Sequence, residues 1–172
     1  MAFSLSKKLH NFRTEAIAEF YAHIGTLLEN EQVQKLDEYI QHYCYSRLKH
    51  SLDVAYYSYM ITRFLRWDSR STARAALLHD LYLYDRRDDS YTGKHHITRH
   101  PRIALENARA ICDLNKCEED IIAKHMWLIT PIPPRYKEGF VVTFVDKICA
   151  ARELCISLFD RSTVRTAYAS HS

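Results

Sequence analysis

Apolar residues recur along this chain mainly at helical spacing. Phe12, Ala16, Phe20, Ile24 and Leu27 return every third or fourth residue, which predicts a long amphipathic helix over residues 4–29. Asn30 is placed to cap a second helix running to Tyr43, with Val33, Leu36, Tyr39 and Ile40 inward. A third helix is expected from Ser46, a good N-cap, to about Arg66. His50, Val54, Tyr57 and Ile61 form its inner stripe, and Arg47 lies one turn earlier on that side. Asp68 and Ser69 then open a helix that is apolar at nearly every turn through residues 74–85, with only Arg74 marking a wet side. Near its C-terminal end stand His79 and Asp80, adjacent and therefore pointing about 100° apart.

The polar, aperiodic run 86–99 reads as a loop holding His95 and His96, which are expected to be solvated, although either could close over a site. His100 precedes Pro101, a residue suited to the first position of a helix, so His100 is expected at the cap of a helix through Ile103, Ala104, Ala108 and Ile111. The next helix is expected near Glu118, with Glu118, Glu119 and Asp120 in its first turn and His125 on the face of Ile121 and Ile122. Thr130 and the prolines at 131, 133 and 134 end it. A last helix spans about 138–159, with Asp146 in line with Val142, Cys149 and Ala150. The pattern is therefore all-α. Residues 1–43 form an N-terminal helical extension packing on the core, 44–159 the domain proper, and 160–172 a frayed C-terminal tail.

Composition sharpens this picture in a few places. With 172 residues the chain is long enough for one domain with a single core. Three glycines and four prolines favour long helices over a turn-rich β fold. A net charge of +3 does not by itself call for a nucleic-acid polymer as partner. The absence of an apolar run near 18 residues, or of a charged-then-apolar leader, argues against a membrane span or signal peptide. Five cysteines without a Cys-x-x-Cys pair are expected to be reduced and mostly buried, which points to the cytoplasm and away from a zinc finger.

The ten histidines carry the chemical signal. His10, His23 and His42 are expected on the surface or in packing. His50, His79, His100 and His125 fall on apolar faces, as do Asp80 and Asp146. Taken alone, the His79–Asp80 doublet could be a core histidine whose ring N–H is satisfied by a nearby carboxylate. Four imidazoles and two carboxylates buried together are hard to satisfy that way, and easy to satisfy around one or two divalent ions. A mixed nitrogen and oxygen set favours Mn, Fe, Co, Ni or Zn over calcium.

The stretches Arg-Leu-Lys-His50-Ser-Leu-Asp-Val-Ala, Ala-Ala-Leu-Leu-His79-Asp80, His100-Pro101, Ile-Ile-Ala-Lys-His125 and Phe-Val-Asp146-Lys resemble, in order, the HD superfamily of metal-dependent phosphohydrolases. The resemblance implies an all-helical HD domain in which His50, His79, Asp80 and Asp146 hold a first metal. His100 and His125 resemble the extra ligands of the six-ligand subgroups, with Asp80 bridging two ions. The implied activity is hydrolysis of a phosphate ester or anhydride, of a nucleotide or another small phosphorylated metabolite, with Asp80 at the chemistry. Positive side chains would neutralise charge at phosphorus. Arg47 and Lys124 are the leading candidates for that role, with Lys94, Arg99 and Arg135 behind them. One departure stands out: many family members follow the doublet with a small residue and a lysine, and here Leu81-Tyr82-Leu83-Tyr84 stands instead, with Arg86 or Arg87 as substitutes. Tyr56, Tyr57, Tyr82 and Tyr84 could stack a base or fill the core. Two alternatives stay open: a di-iron oxygenase of the HD type, and a non-catalytic nucleotide-binding regulatory module. The first two helices could cover the core or form a homodimer contact.

Overall fold

The computed structural model describes the backbone of residues 2–42, 45–85 and 96–169, and the side chains of 13–41, 45–85 and 96–158. Among these residues the named elements are helices but for one small antiparallel ribbon. Helix α1 (Ala2–Leu28) buries Ala16, Phe20, Ile24 and Leu27, the stripe that the spacing predicts. Phe12 lies outside the described side chains. Asn30 does cap α2, accepting from the Gln32 amide. That helix, Glu31–Gln34, is only one turn long, and a 3-10 turn, Lys35–Glu38, follows it.

The expected helix to Tyr43 is thus overturned. Residues Ile40–His42 form strand β1, paired with β2 (Tyr45–Ser46), and Ile40 is half exposed rather than inward. The ribbon turns Gln41 inward, where it is buried beside the His-Asp doublet. Alternation along a strand, not helical spacing, decides which of these residues is inside.

Helix α3 (Arg47–Phe64) begins where expected, with the Ser46 hydroxyl accepting from the Lys49 amide. Its buried face carries Arg47, His50, Ser51, Val54, Ala55, Ser58, Tyr59 and Thr62. Tyr57 and Ile61, expected inward, are 42% and 41% exposed, because the face in contact with the neighbouring helices is rotated toward Tyr59. Helix α4 (Ser69–Leu78), capped by Asp68, packs along α3 and is buried on nearly every side. It ends at Leu78, so residues 81–85 do not continue the helix as the pattern suggests.

Helix α5 (His96–Ile111) starts earlier than expected and carries His100 and Pro101 inside it. Helix α6 (Lys116–Lys124) opens on a reciprocal capping box between Asn115 and Glu118. It stops at Lys124, before the prolines. Helix α7 (Lys137–Ala169) is the longest, and its backbone stays helical past residue 159, where the pattern places its end. Gly139 permits its approach to the Pro-rich turn, since a Cβ there would sit 2.6 Å from Pro134 Cβ.

The core lies among α1, α3, α4, α6 and α7, with Val54, Tyr59, Ala76, Leu77, Leu78, Ile121, Ile122 and Val142 fully buried. Among the described residues Cys112, Cys117, Cys149 and Cys155 are unpaired. Cys149 is buried, Cys112 and Cys117 half-buried, and Cys155 exposed; Cys44 lies outside the described residues. No helix among the described residues is long and apolar enough to cross a membrane.

Candidate metal centre

Two helices end on a histidine, and they end the same way. At the C-cap of α4, Nδ1 of His79 lies 2.7 Å from the Ala76 carbonyl; at the C-cap of α6, Nδ1 of His125 lies 2.9 Å from the Ile122 carbonyl. Each ring thereby satisfies one of the last carbonyls that a helix leaves without an intrahelical partner. His100 Nδ1 does likewise toward the His96 carbonyl, at 3.0 Å. A carbonyl only accepts, so each of these Nδ1 atoms carries a proton, and whenever the ring is neutral its Nε2 presents a bare lone pair.

Those lone pairs converge. Nε2 of His100 and Nε2 of His125 are 2.9 Å apart. Each faces Asp80 Oδ1, at 3.3 and 3.5 Å. His79 Nε2 lies 3.6 Å from Asp80 Oδ2 and 3.8 Å from Asp146 Oδ1. Both His79 Nε2 and Asp80 Oδ1 are buried without a hydrogen-bond partner. Buried polar atoms of native proteins rarely stay unpaired, and here acceptors meet acceptors. His50 completes the array from α3: its Nε2 is 3.1 Å from Asp146 Oδ1, and its Nδ1 is held by Glu153 at 2.9 and 3.1 Å. Ligand atoms of His50, His79 and Asp146, and of His79, Asp80 and His125, come within 4.8 Å of one another. The donor set fits a divalent transition ion: imidazole nitrogens and carboxylate oxygens from five helices or their C-terminal ends brought to common points.

The electrostatics follow from the same crowding. Burial alone would lower the His50 pKa, but hydrogen bonds to Asp146 and Glu153 outweigh it and hold the ring at about 10. Burial also works against a charged His79, yet Asp80 and Asp146 shift it upward. For Asp80, burial opposes ionisation, but His79, His100 and His125 hold the carboxyl well below the usual carboxylate range; His50 and His79 do the same for Asp146. His125 moves the other way, to about 4, chiefly through burial. Protons and metal ions compete here for the same lone pairs.

All six residues expected as ligands are therefore brought together, although His100 comes from within α5 rather than from its cap. The two expected phosphate-binding cations are not. Arg47 is fully buried behind the cluster, where its guanidinium bonds Gln41 Oε1 (2.8 Å) and the carbonyls of Tyr82 (2.5 Å) and Tyr84 (3.2 Å), and lies 3.6 Å from the Tyr82 ring centre. Its charge is spent in holding the segment after the doublet. Lys124 pairs with Asp120 at 2.5 Å and does not line the cavity, nor does Arg135 or Arg99. Lys94, His95, Arg86 and Arg87 lie outside the described residues, as do the side chains of His10 and His42. His23 is half-buried near Glu19.

The structure adds three residues. Gln41 donates to Asp80 Oδ2 while its own oxygen accepts from Arg47 and Tyr82. Glu153 orients His50. Lys147 lies in the cavity, 2.5 Å from Asp146 Oδ2. Glu153 was legible: residues 142, 146, 149 and 153 form one helical stripe, and an acid there needs a partner. Gln41 carried no such signal. The cavity over the cluster measures about 230 Å³ and is lined by the polar Asp80, His100, His125, Asp146 and Lys147 and the apolar Ile97, Met126, Ile129 and Ala150. Tyr82 and His96 line it too; the Tyr82 ring centre lies 5.4 Å from that of His100, and the His96 ring stacks on His100 at 4.7 Å.

Comparison with protein-family models matches residues 47–151 to the HD domain. Comparison with curated proteins and with solved structures gives no match.

Proposed function

This chain belongs to the HD-domain family of metal-dependent phosphohydrolases, and from that premise we propose that it hydrolyses a phosphate ester or anhydride of a nucleotide or similarly small phosphorylated metabolite. The observation that carries the reading is the convergence of bare Nε2 and carboxylate atoms, with His79 Nε2 and Asp80 Oδ1 left orphaned in the interior. His50, His79, Asp80 and Asp146 would hold one ion, and His100 and His125, with Asp80 shared, a second. Such ions acidify a coordinated water to near-neutral pKa and polarise phosphoryl oxygens.

The chain's own residues do the rest. Gln41 and Glu153 fix the orientation of Asp80 and His50, so that each ligand is aimed before anything binds. Lys147 holds Asp146 Oδ2 and, at the cavity wall, supplies positive charge toward a substrate phosphate. Arg47 acts at a distance, through Gln41, as a positioning residue. Water adds to phosphorus, the P–O bond to the leaving group breaks, and the departing oxygen takes up a proton. Purified protein loaded with Mn, Co or Ni should turn over at least one member of a panel of phosphate esters and nucleotides, and Asp80→Ala should abolish that turnover together with metal loading. A metal-loaded protein inert toward the whole panel overturns the reading.

A further inference from the structure

The lining of the cavity over the cluster is divided in chemistry. Asp80, His100, His125, Asp146 and Lys147 are ionic or metal-ligating in type, whereas Ile97, Met126, Ile129 and Ala150 are apolar. Ile97, from the first turn of α5, is 45% exposed, and Ile129, from the turn after α6, is 56% exposed. Two large aliphatic side chains half in water line the same cavity as the polar cluster, the mixture of apolar surface and convergent polar groups usual in ligand sites.

The turn that carries Met126 and Ile129 is held in a costly shape. Leu128 has φ 84, a left-handed conformation that a leucine rarely adopts. The amides of Ile129 and Thr130 both bond the Met126 carbonyl, at 3.1 and 3.0 Å, closing the turn around that strained residue. The backbone strain falls on the residue between two cavity-lining apolar side chains.

The side chains of Ile97, Ile129 and Ala150 offer no hydrogen bonds. The Gln41 amide is committed on both sides, its nitrogen to Asp80 and its oxygen to Arg47 and Tyr82, and the Tyr82 hydroxyl donates to Gln41. A leaving group rich in hydroxyls would shed water against isoleucine and methionine without replacement partners, and that desolvation costs affinity. A volume of about 230 Å³ is also below the roughly 300–1,000 Å³ usual for small-molecule sites, which leaves room for one phosphate and one ring-sized group.

Resting on the hydrolase reading above, we infer that the substrate is a phosphomonoester whose leaving group presents a ring-sized apolar face to Ile97 and Ile129, and that phosphorylated sugars and polyols are disfavoured. A nucleobase and an aryl alcohol both offer such a face, and the assay separates them. The Mn-loaded protein is tested on adenosine 5′-monophosphate, ribose 5-phosphate, phenyl phosphate and glycerol phosphate. The ring-bearing member of each pair should be favoured by roughly tenfold or more in kcat/KM, the discrimination one apolar contact commonly provides. A preference confined to the first pair identifies a base as the occupant, and one confined to the second an aryl group. Ile129→Ser and Ile97→Ser should shrink the ratio, whereas Ile129→Leu should keep it. Calorimetric binding of phenylphosphonate and methylphosphonate, neither of which is hydrolysed, reads the same contact without turnover: the phenyl compound should bind more tightly, with a negative heat-capacity change. Equal kcat/KM within both pairs, or equal phosphonate affinities, overturns the inference and leaves the hydrolase reading standing; inertness toward all four esters with the phenylphosphonate preference intact overturns the hydrolase reading alone.

Discussion

Oε1 of Glu153 lies 2.9 Å from Nδ1 of His50, and both side chains are shut away from solvent. The acid comes from α7, about two turns beyond Asp146, which meets the other nitrogen of the same ring. One imidazole is thus gripped by two carboxylates from one helix, with its outer nitrogen turned to the cluster. Glu153→Ala should lower metal affinity by roughly 10–100-fold, the usual cost of removing a group that orients a ligand. Glu153→Gln, whose carbonyl oxygen still accepts from Nδ1, should recover part of it. Competitive metal titration measures both, and unchanged affinity in the alanine variant would remove Glu153 from the site.

The proton on His50 gives metal binding a pH signature. Its folded pKa, about 10, stands above the 6.5 of an ordinary histidine. A raised pKa stabilises the folded protein fully below the unfolded value, and that contribution is lost as pH rises through the folded one. Metal-free protein should therefore lose stability between pH 6.5 and 10 in thermal melts. Across the same window metal affinity should rise, because the ion no longer has to displace a proton. Metal uptake at pH 7.5 that releases no proton in calorimetry would contradict this.

Lys147 is expected to act on the substrate rather than on the fold. It is half-buried at the cavity wall, so Lys147→Met should fold normally and keep its metal. Its kcat/KM should fall by roughly 10²-fold, the scale seen when one donor to developing charge is removed. Full activity in a metal-replete Lys147→Met protein would show that the cation sits idle.

Arg47 should behave as a structural residue. Its guanidinium makes three hydrogen bonds in the interior and stacks on Tyr82. Arg47→Ala should cost on the order of 3 kcal/mol of stability, from lost charged hydrogen bonds and cation–π contact. Chemical denaturation gives the number, and a shift below about 0.5 kcal/mol, the range of ordinary surface substitutions, would refute this role. Lys124→Ala, which breaks an ion pair with Asp120 away from the cavity, should leave kcat/KM unchanged within twofold.

The order of the main helices, the cap residues Asn30, Ser46 and Asp68, and the six inward-facing candidate ligands are all written in spacing and residue type. Helical periodicity decides which side chains share a face, and a buried His or Asp demands a partner wherever it falls. Three things depended on the assembled fold. Residues 40–42 pair with 45–46 as a ribbon against their local helical pattern, and in that ribbon Gln41 reaches Asp80. The helices bearing His79 and His125 end on those residues, each ring bonding a carbonyl of its own last turn, which periodicity cannot register. The placement of the cations came from packing: Arg47 and Lys147 carry the same charge, but the first bonds buried carbonyls and the second lines the cavity. Sequence spacing reports which face of a helix a residue occupies. What lies opposite that face is set by how helices from distant parts of the chain pack together.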